Sequence, residues 1–517
     1  MESFPGTFTA MPDKDPDVIV IGAGPNGLVA GCMLAKRGFR VLVLEANPRR
    51  PGGALSSEEA TLPGFTHDVG AAFFPFATAS PAFRELGLEG HGVTWAHARY
   101  ESCHPAPDGT FATISRDTDR DASLFGSAKD GDAWRKLASW HRAIEPRFYR
   151  LLLGTFPSFA PVFALGPAHL LRLARIFTTS ARGFSERFFE SAAARRVVPG
   201  LGLHADVGPE DRFGAALGYV LGLGATTGGY PVSVGGAQRI TNALVRILEA
   251  HGGKLRLGAR VAKVAVSERR IAGVTLDDGE EIKVRGAVVA DTGATSLLLD
   301  LIGKRHLPGG IARRLSRFEQ GWGTFKVDWA LSAAVPWGVE AARESAVVHA
   351  GDSVDDLVKF TREVRQGRLP EHPYLVIGQQ SLADPSRAPP GNHTLYAYTH
   401  VPPSIEGGWE THRESFTDRL EARIEELAPG FRSCVLGRRS VTPDDLQTMD
   451  ANLVGGDIGG GSNAWNHQLL FRPIFPYFRY RMPVRGLYLC SSYAHPGAGV
   501  HGMCGYNAAA VVARDLG

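Results

Sequence analysis

An apolar run that breaks into glycines, Asp17-Val18-Ile19-Val20-Ile21-Gly22-Ala23-Gly24-Pro25-Asn26-Gly27, constrains this 517-residue chain more than any other feature. A helix-like stretch and a second apolar run, Arg40-Val41-Leu42-Val43-Leu44-Glu45, complete a βαβ unit. Each position answers a physical need. Gly22 permits the tight turn out of the strand, Gly24 keeps side chains away from a pyrophosphate, and Gly27 lets the helix pack close on the sheet. Pro25 opens the helix, whose N-terminus turns unpaired N–H groups and a positive dipole end toward phosphates. Glu45 closes the second strand, where a carboxylate accepts hydrogen bonds from a ribose hydroxyl. The unit predicts a parallel α/β sheet built to grip a dinucleotide.

A chain of this length holds two or three domains and buries a substantial core. Its 56 Lys and Arg against 53 Asp and Glu leave a formal charge of +3, too balanced for an extended nucleic-acid surface. Residues 1–14 are polar and lack an apolar h-region, so they read as a loose arm rather than a secretion signal, and a cytoplasmic protein is expected. The five cysteines (Cys32, Cys103, Cys434, Cys490, Cys504) form no CxxC pair and no metal-ligand spacing. They point to a reducing compartment without a disulfide framework or a metal site.

NAD and FAD share the first fingerprint, so the later segments bear on the choice. After Glu45 come Ala46, Arg50, Gly52 and Gly53, two glycines near an arginine that can continue a phosphate and ribityl cradle. Downstream, Val261 to Val266 and a hairpin turning at Asp278-Gly279 lead to Ala287-Val288-Val289-Ala290-Asp291, an apolar strand able to rejoin the first sheet. Near the C-terminus the strand-like Gly486-Leu487-Tyr488-Leu489-Cys490 precedes a second glycine-rich turn, His495-Pro496-Gly497-Ala498-Gly499-Val500-His501-Gly502, and an alanine-rich helix. No second strand-GxGxxG-helix unit follows; Gly455 to Gly461 reads as a loop.

In these blocks and their order, together with Gly229-Tyr230-Pro231 to Gly235-Gly236, the chain resembles the phytoene-desaturase-like FAD-dependent oxidoreductases, within the glutathione-reductase-type and amine-oxidase-like flavoprotein fold. The resemblance implies a Rossmann-like FAD-binding domain assembled from 15–87, 229–302 and 484–517, and an α+β substrate domain from 88–228 and 303–483. It implies non-covalent FAD, with Gly22, Gly24 and Gly27 on the pyrophosphate, Glu45 on the adenosine ribose and the Val261 backbone at the adenine. Ala46, Arg50, Gly52, Gly53 and Ser492 join that set, and Gly499, Val500 and Gly502 lie beneath the isoalloxazine. Two positions depart from the pattern. Ala54 stands where the wider group often has arginine, and Ser491-Ser492 where amine oxidases usually have an acid.

The substrate side reads as apolar. Phe148 to Phe177 is interrupted by Pro157, Pro161 and Pro167, too often to span a bilayer. Two readings stay open there, a core helix pair roofing the site or a peripheral contact with a membrane surface. Ala215 to Gly229 is small and apolar, suited to lining a channel or to close helix packing. Phe325 to Leu331 alternates as a strand, with Lys326 and Asp328 opposite an apolar face.

A flavin takes hydride from a C–H bond, and desaturation also needs a proton acceptor on the substrate side. The candidates are His495 and His501, which flank the glycine turn, and Lys326 as holder of a water. For the histidines a turn-fixing role is the alternative, and for Lys326 pairing with an acid. The segment His67 to Ala72 is expected to pass near the flavin; Tyr230 and His467 are weaker candidates. The expected activity is oxidation or desaturation of a hydrophobic carotenoid-, terpenoid- or fatty-acyl-like molecule, with oxygen or a quinone as electron acceptor. A reduced-flavin saturase or isomerase, and a flavin-containing interaction protein with little catalysis, stay open as alternatives.

Overall fold

The computed structural model describes residues 15–517, so the arm expected at 1–14 lies outside the described residues. A five-stranded parallel sheet runs Leu487–Leu489, Ala287–Ala290, Val18–Ile21, Val41–Leu44, Lys254–Arg256. Strands from both ends of the chain therefore lie in one sheet. Val18–Ile21, Val41–Leu44 and Ala287–Ala290 are buried at every position, as a parallel sheet covered on both faces requires.

Helix Pro25–Ala35 covers this sheet and packs against Met503–Leu516 and Gln238–Ala250. Glycine sets the spacing. A methyl on Gly505 would lie 2.0 Å from the Asn26 carbonyl oxygen, so the two helices meet backbone to backbone. The hairpin segment forms a separate antiparallel sheet of Val261–Ser267, Arg270–Leu276 and Glu281–Lys283.

A second, seven-stranded mixed sheet has the order Val435–Val441, Gly323–Leu331, His393–Val401, Leu375–Gly378, Ser345–Ala350, Tyr100–Pro105, Phe111–Ile114. Period-two alternation divides its chemistry between faces. Phe325, Val327, Trp329 and Leu331 share an apolar core with Trp409, Phe416, Leu420 and Ile424 of helix Trp409–Leu427. The opposite face carries Lys326, Asp328, Tyr396, Tyr398, His349, Ser102 and His104, and turns toward the interior of the molecule. Helices between Ala128 and Ala225 complete this half.

A buried ionic cluster ties together segments that lie far apart in the chain. Arg387, wholly inaccessible, donates to Asp68 Oδ2 at 2.8 Å, to Asp384 Oδ2 at 2.7 Å and to the Ser233 carbonyl. Asp68 Oδ1 accepts from Ser57 and from the Ala237 N–H, and Asp384 accepts from the Gly235 N–H. A methyl on Gly236 would lie 2.4 Å from Ser57 Oγ, which explains the glycine pair after Tyr230 as a close docking point. Each buried charge is met by hydrogen bonds, the condition under which such a cluster is tolerated.

Candidate active site

A cavity of about 1010 Å³ runs from the first glycine turn to the inner face of the seven-stranded sheet. At the first end the strand Val18–Ile21 breaks at Gly22, whose φ of +93° is open to glycine but strained for other residues. Gly24 follows as the N-cap of helix Pro25–Ala35, with no side-chain cap over the helix end. A methyl on Gly24 would lie 2.6 Å from Asp291 Oδ2, so a larger residue would fill the cradle. Glu45 stands at the mouth, its carboxylate accepting from the N–H groups of Ala23 (2.7 Å) and Asn47 (2.8 Å).

The nine predicted residues Gly22, Gly24, Glu45, Ala46, Arg50, Gly53, Val261, Gly499 and Val500 all border this cavity. The remaining five serve it from behind. The Gly27 N–H donates to Asp291 Oδ2 at 2.8 Å rather than standing open to a phosphate. Pro25 starts the helix, and a methyl on Gly52 would meet Leu55 and Thr241. The Ser492 carbonyl accepts from Arg472, and Gly502 caps the C-terminal helix against Val29 and Phe83.

Acids gather at this end. Burial pushes the Asp291 carboxyl up to about 7; the Gly27 N–H opposes the rise, and Asp450 and Glu45 add to it. Burial also raises Glu45, against the N–H groups of Asn47 and Ala23, and raises Asp450. Arg49, Arg50, Arg260 and Arg439 border the same region, with Arg50 and Arg439 paired to Glu58. A cradle of glycine backbone, arginines and carboxyls held toward neutrality suits a pyrophosphate-bearing nucleotide.

The segment Thr448 to Leu453 closes this end from the second lobe. Asn452 donates to the Asp291 carbonyl and accepts from the Gly293 N–H. Sequence reading assigned no role to Asp291, Asp450 or Asn452, because only the fold carries residue 450 to residue 24. The Gly455 to Gly461 stretch is the loop expected, its turns held by the Asp457 carboxylate, which accepts from the N–H groups of Gly321, Gly459 and Gly461.

The candidate bases fare differently from one another. His495 and His501 sit behind the Ala498-Gly499-Val500 turn, packed on Phe156 and Phe76. His501 Nδ1 accepts from the Met503 N–H, which fixes its tautomer and the start of the helix. Burial and neighbouring Arg472 hold His495 down at about 4; burial and His495 hold His501 at about 3. Both rings are placed to hold the turn. Lys326 does border the cavity, but its Nζ donates to Asp328 and to the Asp68 carbonyl. Burial would raise Asp328, yet Lys326 and His67 outweigh it and keep the carboxylate below its usual range.

Residues Val69 to Phe73 line the cavity, as expected for the segment after His67, and so does Tyr230, whose hydroxyl donates to the Leu221 carbonyl. His467 lies beside Glu319 near the surface. The helix Gly214–Ala225 does both things its small residues allow: Leu217 and Leu221 face the cavity, while Gly218 packs against the Val198 backbone. Tyr396, Tyr398 and His204 also face inward and were not singled out from the sequence. The signal was there as alternation in Thr394-Leu395-Tyr396-Ala397-Tyr398, but its partners lie far along the chain.

Phe148 to Phe177 contains the end of helix Ala128–Leu153 and the helices Phe159–Leu165 and Pro167–Phe177. Phe148, Leu153, Leu165, Leu173 and Ile176 lie in the main hydrophobic core, whereas Phe159 and Phe163 are 71% and 80% exposed, so the stretch is part core and part surface. Among the described residues no helix is long and apolar enough to cross a membrane.

Comparison with known proteins agrees with this geometry. Residues 20–86 match the family described as NAD(P)-binding Rossmann-like domain. The chain is 30% identical to the rat (Rattus norvegicus) pyridine nucleotide-disulfide oxidoreductase domain-containing protein 2, over 97% of this chain and 94% of that one. It is 25% identical to a lycopene-forming phytoene desaturase of Pseudescherichia vulneris, over 94% and 96% of the two chains. The cyclohexylamine oxidase of Brevibacterium oxydans IH-35A shares the fold, with a TM-score of 0.61 and 18% identity over 97% of this chain and all of that one. With its discontinuous nucleotide-binding sheet, its cavity and its full-length relatives, the chain belongs to the phytoene-desaturase-like family of oxidoreductases, with an amine-oxidase-like fold.

Proposed function

We propose that this protein is an FAD-dependent oxidoreductase that takes a hydride from a C–H bond of a lipophilic, carotenoid-, terpenoid- or fatty-acyl-like substrate. The observation that carries the reading is the continuity of the cavity. One space joins the glycine cradle at Gly22 and Gly24 to a chamber walled by Leu217, Leu221, Val347 and Val376. Gly22, Gly24, Arg50 and Gly53 are the residues to hold the pyrophosphate, Glu45 the ribose, Val261 the adenine, and Gly499 and Val500 the ring. Bound there, the flavin supplies the hydride acceptor. The chain itself supplies a dry wall and a fixed position for the substrate, and burial of Lys326 against Asp328 keeps that wall from carrying a free charge.

Oxygen or a quinone is the electron acceptor in this reading, and the protein is cytoplasmic. The exposed Phe159, Phe163 and Leu171, beside exposed Arg172 and Arg175, support peripheral contact with a membrane as the route for a lipophilic substrate.

The test is the visible spectrum of the purified protein, with Gly24→Val beside it. Flavin bands in the wild type, lost in the variant at unchanged far-UV circular dichroism, are the expected result. A protein that cannot be loaded with FAD, or a variant that keeps a full complement, overturns the assignment. Anaerobic NADPH should leave the bands intact; prompt bleaching would replace the oxidase or desaturase reading with a reduced-flavin one.

A further inference from the structure

The far end of the cavity carries polar chemistry that a nucleotide does not use. Strand pairing aligns Lys326 with Tyr398, Tyr398 with Val376, and Val376 with His349 on one face of the seven-stranded sheet. His204, just beyond helix Val197–Gly202, bridges across that row. A continuous hydrogen-bonded chain results. Tyr398 Oη meets His204 Nδ1 at 2.9 Å, and His204 Nε2 meets His349 Nε2 at 2.8 Å. His349 Nδ1 meets Ser102 Oγ at 3.0 Å, and Ser102 Oγ meets His104 Nε2 at 2.9 Å. His104 and His349 stack at 4.4 Å, locking both rings.

Only the first two members touch the cavity. Tyr398 and His204 border it, whereas Ser102, His104 and His349 are sealed in the interior. Burial keeps all three imidazoles neutral: His104 and His204 are held at about 3 and His349 well below its ordinary range. A neutral imidazole has one donor and one acceptor, so each bond direction fixes the next. The chain therefore has two arrangements. In one, the Tyr398 hydroxyl donates to His204 and offers lone pairs to the cavity. In the other, His204 donates to Tyr398, which donates into the cavity.

The walls beside this spot are the apolar Leu217, Leu221, Val347 and Val376, with Tyr396, stacked on Tyr398, the uncharged polar neighbour. Lys326, next along the row, is already neutralised by Asp328. The position thus suits an uncharged oxygen and offers nothing to pair with a carboxylate. We propose that Tyr398 anchors the single hydroxyl or carbonyl oxygen of an otherwise apolar substrate, with His204, His349, Ser102 and His104 as positioning residues that let it act as donor or acceptor. The inference rests on the reading of the chamber as the substrate site, and narrows that substrate to a lipophilic alcohol, aldehyde or ketone.

Equilibrium dialysis of decan-1-ol, decan-2-one and n-decane against the purified, FAD-treated protein tests it, with flavin content read separately from the visible spectrum. One neutral hydrogen bond predicts that wild type binds the alcohol and the ketone at least fivefold tighter than the alkane. Tyr398→Phe should bring that ratio near one while alkane binding is unchanged, which shows the chamber intact. Ser102→Ala, which cuts the chain, should lower the ratio two- to threefold, and Ser102→Thr should restore it. Equal binding of all three probes by wild type, or no binding of any, overturns the proposal, as does loss of alkane binding in Tyr398→Phe. A ratio unmoved by Ser102→Ala removes the chain from it. Oxygen preference without flavin uptake would instead sink the cofactor assignment and leave this site standing.

Discussion

Lys326, expected from the sequence to hold a water, does border the cavity, and its pairing with Asp328 makes it a structural cation. Lys326→Met leaves the Asp328 carboxylate buried with only His67 at 3.5 Å, and should destabilise the protein by about 3 kcal/mol in urea melts. Adding Asp328→Leu should recover much of that loss; a single variant as stable as wild type would contradict the pairing. Asp291 gives a pH-dependent counterpart. Its folded carboxyl, raised to about 7, binds more protons than an unfolded one between pH 4 and 7, so its contribution to stability falls as pH rises through that window. The buried, neutral histidines act in the opposite sense below about pH 6.5. The informative quantity is therefore the gap between Asp291→Asn and wild type in the cofactor-free protein. It should move in favour of the variant by about 2–3 kcal/mol from pH 5 to pH 8.

At the level of elements, the cradle depends on how closely two helices approach. Pro25–Ala35 and Met503–Leu516 touch at Gly505, where a methyl would collide with the Asn26 carbonyl. Gly505→Ala should cost about 1–3 kcal/mol and weaken dinucleotide retention, since Asn26 belongs to the first turn after Gly24. Gly309→Ala, with open space around its added methyl, should stay within about 0.5 kcal/mol of wild type. Equal effects in denaturant melts of the two variants would show that helix contact does not set the cradle. The same logic explains Gly218 of Gly214–Ala225, which allows a close approach to the Val198 backbone on a helix whose Leu217 and Leu221 line the cavity.

At the scale of the whole molecule, the ionic cluster of Asp68, Arg387 and Asp384 ties together segments far apart in the chain, and one cavity runs from the glycine cradle to the seven-stranded sheet. The exposed phenylalanines of Phe159–Leu165 lie on the surface of the helical half. In flotation with vesicles containing anionic lipid, the wild-type protein should rise with the lipid, and Phe159→Asp with Phe163→Asp should remain in the dense fraction. Wild type remaining wholly in the dense fraction would remove the membrane from the functional reading.

Local rules in the sequence determined the βαβ unit, the hairpin ending in Ala287–Ala290, the second glycine turn and the alternation around Lys326. Each is a matter of neighbouring residues: glycine at a turn of positive φ, apolar runs for buried parallel strands, period two for a half-buried strand. The nine cavity-lining residues predicted for the cofactor were legible for that reason. What the tertiary structure alone decided is which distant residues share a space. His495 and His501 sit beside the right turn in sequence, yet the cavity is lined by Ala498, Gly499 and Val500 between them, and His501 is bonded to the Met503 N–H. Asp291 and Asp450, or Tyr398, His204 and His104, meet only because strands and helix ends from different parts of the chain converge. Pairing over such separations leaves no period in the sequence, and the chemistry of this site lies in those pairings.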